Sequence, residues 1–148
     1  MYIDDPILVF HVAIDPGEIT SVRGADCSVT LIPFTASVQS PLFTGETAPG
    51  AVDVQTLGPD GVRTLCARYA FRGADGQGNP CALYVDNRGA LPPDAPPGAV
   101  IHTRPTFVTD SPVLAARLGR GPFRAEVHGT NAGVDVRVFD EGAADEQE

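Results

Sequence analysis

The run Val62-Arg63-Thr64-Leu65-Cys66-Ala67-Arg68-Tyr69-Ala70-Phe71-Arg72 decides the fold. Leu65, Ala67, Tyr69 and Phe71 alternate with Thr64, Cys66, Arg68 and Ala70. A period of two places successive side chains on opposite faces, so the run reads as a long β-strand with two different surroundings. Turn chemistry bounds it on both sides. Gly58-Pro59-Asp60-Gly61 precedes it, and a loop over 73–80 containing Asp75-Gly76 and Gly78-Asn79 follows. Both are hairpin signals, which predict antiparallel neighbours.

Working outward, Ile7 to Ile14 reads as a first strand, ended by Asp15-Pro16-Gly17. Ser28 to Phe34 reads as a second, and Pro33 points to an edge or a bulge. Further strands are expected over 42–47, 51–57, 81–87 and 100–109, with a final hairpin from Phe123 to His128 and Val134 to Phe139. Arg88 to Gly98 holds four prolines and reads as a long loop. Asp110-Ser111-Pro112 supplies helix-start residues, so Val113 to Leu118 reads as one short helix closed by Gly119. The fold class expected is all-β: a single antiparallel β-barrel of about nine or ten strands with one short helix, over residues 1–139. Residues 140–148 are acidic, lack apolar anchors and read as a disordered tail.

Composition narrows the functions available. The chain has 148 residues, and its 16 Gly and 14 Pro disfavour helices. All ten basic residues are Arg. The absence of Lys excludes Schiff-base chemistry and a P-loop. A net charge of −9 argues against a nucleic-acid partner. Five acids (Asp140, Glu141, Asp145, Glu146, Glu148) fall in the expected tail, and without them the charge is −4. No apolar run approaches the roughly 18 residues of a membrane span. Met1 to Pro6 carries acid where an export signal would carry base, so a cytoplasmic location is expected. Cys27, Cys66 and Cys81 are odd in number and form no CxxC pair, so buried reduced thiols are expected. The histidines at 11, 102 and 128 have no HxH or HxxxH spacing, and neither a metal nor a cofactor is expected.

The segments also occur in a telling order. Pro-Leu-Phe-Thr-Gly (41–45), Pro-Gly-Ala-Val-Asp (49–53), Asp-Gly-Val (60–62) and Ala-Arg-Tyr (67–69) come first. Val-Asp-Asn-Arg-Gly (85–89) and Thr-Arg-Pro-Thr-Phe-Val-Thr (103–109) follow. Together they resemble domain-of-unknown-function family 3237, also called uncharacterised protein family 0311, from about Pro6 to Phe139. The resemblance implies a small antiparallel β-barrel with no established activity. The family often carries paired glycines and an Asp-Trp near Asp53; here Ala51 replaces one Gly and Val54 the Trp. A lost Trp there would widen a pocket or alter ligand choice.

Asp53, Arg68, Asn87 and Arg104 lie on different expected strands within these motifs. Same-face residues of neighbouring barrel strands converge on one interior. Asp53 is a candidate general base, with Arg68 or Arg104 stabilising an enolate oxygen. Asn87, His102, Tyr69 and Tyr84 are candidate substrate-binding residues. Alternation constrains the set, because Arg68 and Tyr69 must point to opposite faces. With both arginines inside, His102 joins them and Tyr69 does not. With Tyr69 inside, the arginines are external and a conventional core is expected. The competing structural role is an Asp53–Arg68 ion pair, which fixes register without catalysis.

The function expected is binding of a small, partly apolar organic molecule, with cofactor-free acid/base chemistry beside a carbonyl: an isomerase, cyclase or lyase. A non-catalytic carrier or sensor, and a structural subunit assembling as a homo-oligomer, are the alternatives.

Overall fold

The structure, a computed structural model, describes residues 5–142. It contains eleven strands and one α-helix. The strands are β1 (Leu8–Ala13), β2 (Thr20–Arg23), β3 (Ser28–Pro33), β4 (Thr35–Gln39), β5 (Phe43–Thr47) and β6 (Val52–Leu57). Then come β7 (Arg63–Asp75), β8 (Pro80–Leu91), β9 (Ile101–Thr109), the helix α1 (Pro112–Leu118), β10 (Phe123–Gly129) and β11 (Gly133–Asp140). All pairings are antiparallel. Eight strands close on themselves in the order β7-β5-β4-β1-β11-β10-β9-β8, sealed by β7 against β8, while β6, β3 and β2 extend from β7. The expected barrel is therefore formed, with β2 and β4 added to the strands legible in the sequence.

The long strand β7 makes this architecture possible. Its first half, Arg63 to Arg68, pairs with β6, and its second half, Phe71 to Asp75, pairs with β5. Its other edge pairs with β8 from Arg63 to Ala74. The sheet thus forks at the middle of β7, and β6 with β3 forms the wall where β5 and β4 end. At Pro33 only β6 is paired, since β2 reaches no further than Leu31, so the missing N–H leaves no gap in the ladder.

Two expected loops are shorter than their composition suggests. β7 runs on to Asp75, and β8 runs from Pro80 through Leu91, so the Pro-rich connection spans only 92–100. Pairing with β7 as far as Arg63 carries β8 past Asn87. Pro93 then packs against the β6–β7 turn, where Gly61 holds φ +80°. A Cβ there would be strained and would meet Pro93 at 2.9 Å.

The inward face of β7, β8 and β9 stacks in layers by register. Phe71 faces Leu83; above it Tyr69 faces Val85, which faces Phe107. The next layer is Asp53, Ala67, Asn87 and Pro105, and the last is Gln55, Leu65, Gly89 and Thr103. The lower layers form the core with Phe10, Phe43 and Leu8, all essentially inaccessible to solvent. Phe71 lies 4.9 Å from Phe10, 5.5 Å from Tyr69 and 6.1 Å from Phe43, ring centre to ring centre. Such tilted and edge-on contacts suit the ring quadrupoles. Helix α1 adds Leu114 and Leu118 to this core. Its N-cap Ser111 accepts from the Leu114 amide at 3.0 Å and donates to Asp75 Oδ2 at 2.7 Å.

Some expectations need correction. Cys27 is exposed, and Cys66 and Cys81 are half-buried rather than core residues. Asp140 ends β11 and is bonded by Arg117, and Glu141 pairs with Arg104, so the first two residues of the expected tail belong to the fold. Residues 143–148 lie outside the described ones. Among the described residues no helix is long and apolar enough to cross a membrane.

Candidate functional site

The upper layers enclose a cavity of about 130 Å³ at the end of the barrel away from α1. Its walls are largely hydrocarbon, with Val12, Ile14, Ile32, Phe34, Leu65 and Val127 among them. Ile14 and Phe34 also line a surface groove, so they stand between the cavity and solvent. Five polar side chains face the cavity: Asp53, Gln55, Tyr69, Asn87 and Thr103.

Three of their atoms are buried without a hydrogen-bond partner: Asp53 Oδ1, Asn87 Oδ1 and Thr103 Oγ1. Buried polar atoms are ordinarily satisfied, so three without partners among the described residues, all on side chains that line one apolar chamber, are unusual. The other Asp53 oxygen, Oδ2, accepts from Gln55 Nε2 at 2.9 Å. Gln55 Oε1 in turn accepts from Arg63 Nη1 at 3.4 Å. This chain holds the carboxyl in place and leaves Oδ1 without a hydrogen-bond partner among the described residues.

Burial raises the pKa of Asp53, and the bonds from Gln55 and the Cys66 backbone only partly oppose it. Tyr69 is 5% exposed, and its hydroxyl is pushed far above the ordinary range, by burial first and by the Asp53 charge second. Gly89 makes room for Thr103 on the next strand: a Cβ at Gly89 would lie 2.7 Å from Thr103 Cγ2.

The sequence candidates divide by strand face. Asp53, Tyr69 and Asn87 come together in the interior. Arg68, Arg104, His102 and Tyr84 do not; all four are exposed on the outer face. The Arg68 side chain is 57% exposed and its Nε lies 3.5 Å from Asp86 Oδ2, so the expected ion pair with Asp53 is replaced by one outside the barrel. Asp86 also takes two bonds from Arg88, at 2.9 and 3.2 Å, which hold its carboxyl below the usual range. Arg104, 64% exposed, is bonded to Glu141 and to the Phe123 carbonyl. His102 sits opposite Glu126, and Tyr84 opposite Ala70 and Val108.

With Tyr69 inside, the arginines are external as alternation requires, yet the interior is not a conventional core. Asp53 and Asn87 both pair with Ala67, two residues from Tyr69, and so share its face. Thr103 and Gln55 are additional site residues. Their signals were available: Thr103 has the opposite parity to Arg104, and Gln55 the same parity as Asp53. Val54, where the family often has Trp, alternates with Asp53 and Gln55 and turns away from the cavity, so that substitution does not widen it.

The fold and part of the sequence are matched in other proteins. A family model described as "Protein of unknown function (DUF3237)" matches residues 5–139. The chain belongs to this family. A curated relative, UPF0311 protein CA_C3321 of Clostridium acetobutylicum, is 36% identical over 96 residues, spanning 55% of this chain and 58% of that one. A crystal structure of a protein of unknown function from Clostridium acetobutylicum superposes with a TM-score of 0.75 at 24% identity, covering 92% of this chain and 96% of that one. A conserved protein of unknown function from Rhodopseudomonas palustris gives 0.71 at 21% identity, over 92% and 95%. A β-barrel-like protein from Acinetobacter baumannii gives 0.68 at 14% identity, over 92% and 93%. These likenesses show the fold alone.

Proposed function

We propose that the barrel encloses a small, largely apolar organic molecule and that Asp53 exchanges a proton with it. The observation that carries this reading is Asp53 Oδ1, a buried carboxylate oxygen with no partner among the described residues, on a side chain that lines an apolar chamber. Such a group costs folding free energy, which a bound donor recovers. A carboxyl whose pKa is raised by burial is also a better base for carbon acids near neutral pH. In the reaction proposed, Asp53 takes a proton from carbon beside a carbonyl, and the electron pair moves to the carbonyl oxygen. The Tyr69 or Thr103 hydroxyl donates to that oxygen. Return of the proton at another carbon isomerises the molecule; loss of a substituent makes the step an elimination. Arg68 and Arg104 take no part.

A second reading, binding without turnover, draws support from the cavity lining, which contains no Arg. An enolate there has neutral donors only. Metabolite screening of wild type against Asp53→Asn separates the two readings. The first expects turnover that falls on the order of 100-fold or more in Asp53→Asn, with Arg68→Ala and Arg104→Ala unchanged. Full turnover by a folded Asp53→Asn protein removes Asp53 as the base. Ligand retention with no turnover by wild type favours the carrier.

A further inference from the structure

Resting on that cavity reading, we infer that the occupant is a neutral ring of about benzene size carrying hydroxyl donors, and that anions are rejected. The size follows from the cavity, about 130 Å³. An apolar cavity of about 150 Å³ is known to accept benzene. The chamber therefore suits one six-membered ring.

The polar pattern sets the substituents. Asp53 and Asn87 flank Ala67 in a single cross-strand row, with β7 between them. Two strand spacings put their backbones roughly 10 Å apart. The small Ala67 side chain leaves the floor between them open to a ring. Asp53 Oδ1 and Asn87 Oδ1 are both acceptors awaiting donors, and Thr103 Oγ1 stands in the adjoining layer. A hydroxyl matches each of them, since it donates to a carboxylate or amide oxygen and also accepts from a protonated acid or from Thr103.

Charge decides the exclusion. Arg68, Arg88 and Arg104 are all outside the barrel. Arg63 is bonded to Gln55 and is not part of the lining. A carboxylate or phosphate entering the chamber would meet Asp53 with no cation to offset the repulsion or the loss of hydration. A ring bearing hydroxyls at separated positions, a dihydric phenol or the enol of a cyclic diketone, satisfies the orphaned atoms and leaves its hydrocarbon edge against Val12, Ile32 and Leu65.

Three probes of matched ring size test this: benzene, resorcinol and benzoate, titrated against the intact chain by calorimetry and ligand-observed NMR. Resorcinol is expected to bind about tenfold or more tighter than benzene, and benzoate not at all. Asp53→Leu should reduce that preference to within a few fold while keeping benzene binding. Thr103→Val, nearly isosteric, should weaken resorcinol several-fold and leave benzene unchanged. Ala67→Phe, which fills the floor, should abolish both. Equal binding of benzene and resorcinol overturns the hydroxyl assignment while the cavity reading stands. So does benzoate binding as tightly as resorcinol, or an unchanged preference in both Asp53→Leu and Thr103→Val. Failure of all three probes on wild type removes the cavity reading itself.

Discussion

Burial raises the pKa of Asp53, so the folded chain holds this proton more tightly than the unfolded chain, whose carboxyl keeps its ordinary value of 3.8. Between those two values the folded state binds more protons, and stability falls as pH rises. At neutral pH the burial of this carboxyl is therefore a standing cost, and replacing it by a neutral amide should remove that cost. We expect Asp53→Asn to be more stable than wild type at pH 7, by on the order of 1 kcal/mol. That corresponds to a few degrees in Tm for a chain of this length. The gain should shrink as pH falls toward 4. Thermal melts of the two proteins across this range check the sign, and a less stable Asp53→Asn at pH 7 would place the carboxylate in a stabilising role. The same residue scale holds the correction to Arg68 and Arg104. Their motif positions were legible, but an exposed guanidinium on the outer face pairs with Asp86 or Glu141, and such surface pairs contribute little.

Elements differ in how openly the sequence announces them. β7 is legible because its two faces meet core and solvent, so residue type alternates cleanly. α1 is legible from Ser111-Pro112 at its start and Gly119 at its end. β2 is hidden because all four of its residues are exposed, which removes the alternation a reader relies on. β4 is hidden because it is short and follows Pro33 with one intervening residue. The Ser111 hydroxyl serves two elements at once, capping α1 and bonding Asp75 at the end of β7. That bond is the leading cause of the lowered Asp75 pKa, which the Gln77 and Asn79 amides lower further. A depressed carboxyl stabilises the fold above its unfolded value of 3.8 and loses that contribution as pH falls through the folded value. Ser111→Ala should cost about 1 kcal/mol through the lost cap, with a further loss from Asp75 that fades in acid. Urea titrations at pH 7 and pH 3.5 measure both parts; a cost that grows on acidification contradicts the linkage.

For the whole molecule, closure of the barrel depends on β7 serving three partners. Beyond the fork, at the centre of its pairing with β5, Gly73 faces Gly45, and a Cβ at Gly73 would lie 1.9 Å from the Thr44 carbonyl oxygen and 2.6 Å from Gly45 Cα. Those atoms are backbone and have no rotamer to escape by. Gly73→Ala should therefore cost about 3 kcal/mol or more, seen as a lower urea midpoint with an unchanged slope. A near-neutral effect would mean that the β5–β7 pair is looser than its contacts imply. The sequence by itself determined the alternation of each strand, the turns, the helix and the all-β class, because these depend on neighbours a few residues apart. It also set Arg68, with Arg104 and His102, against Tyr69 as alternatives for the inner face. Only the tertiary structure decided which set faces inward, because that depends on the register between β6, β7, β8 and β9, whose paired residues lie far apart in the chain. Register joins Asp53 and Asn87 to Tyr69 and brings Thr103 over Gly89, leaving Arg68 and Arg104 in solvent.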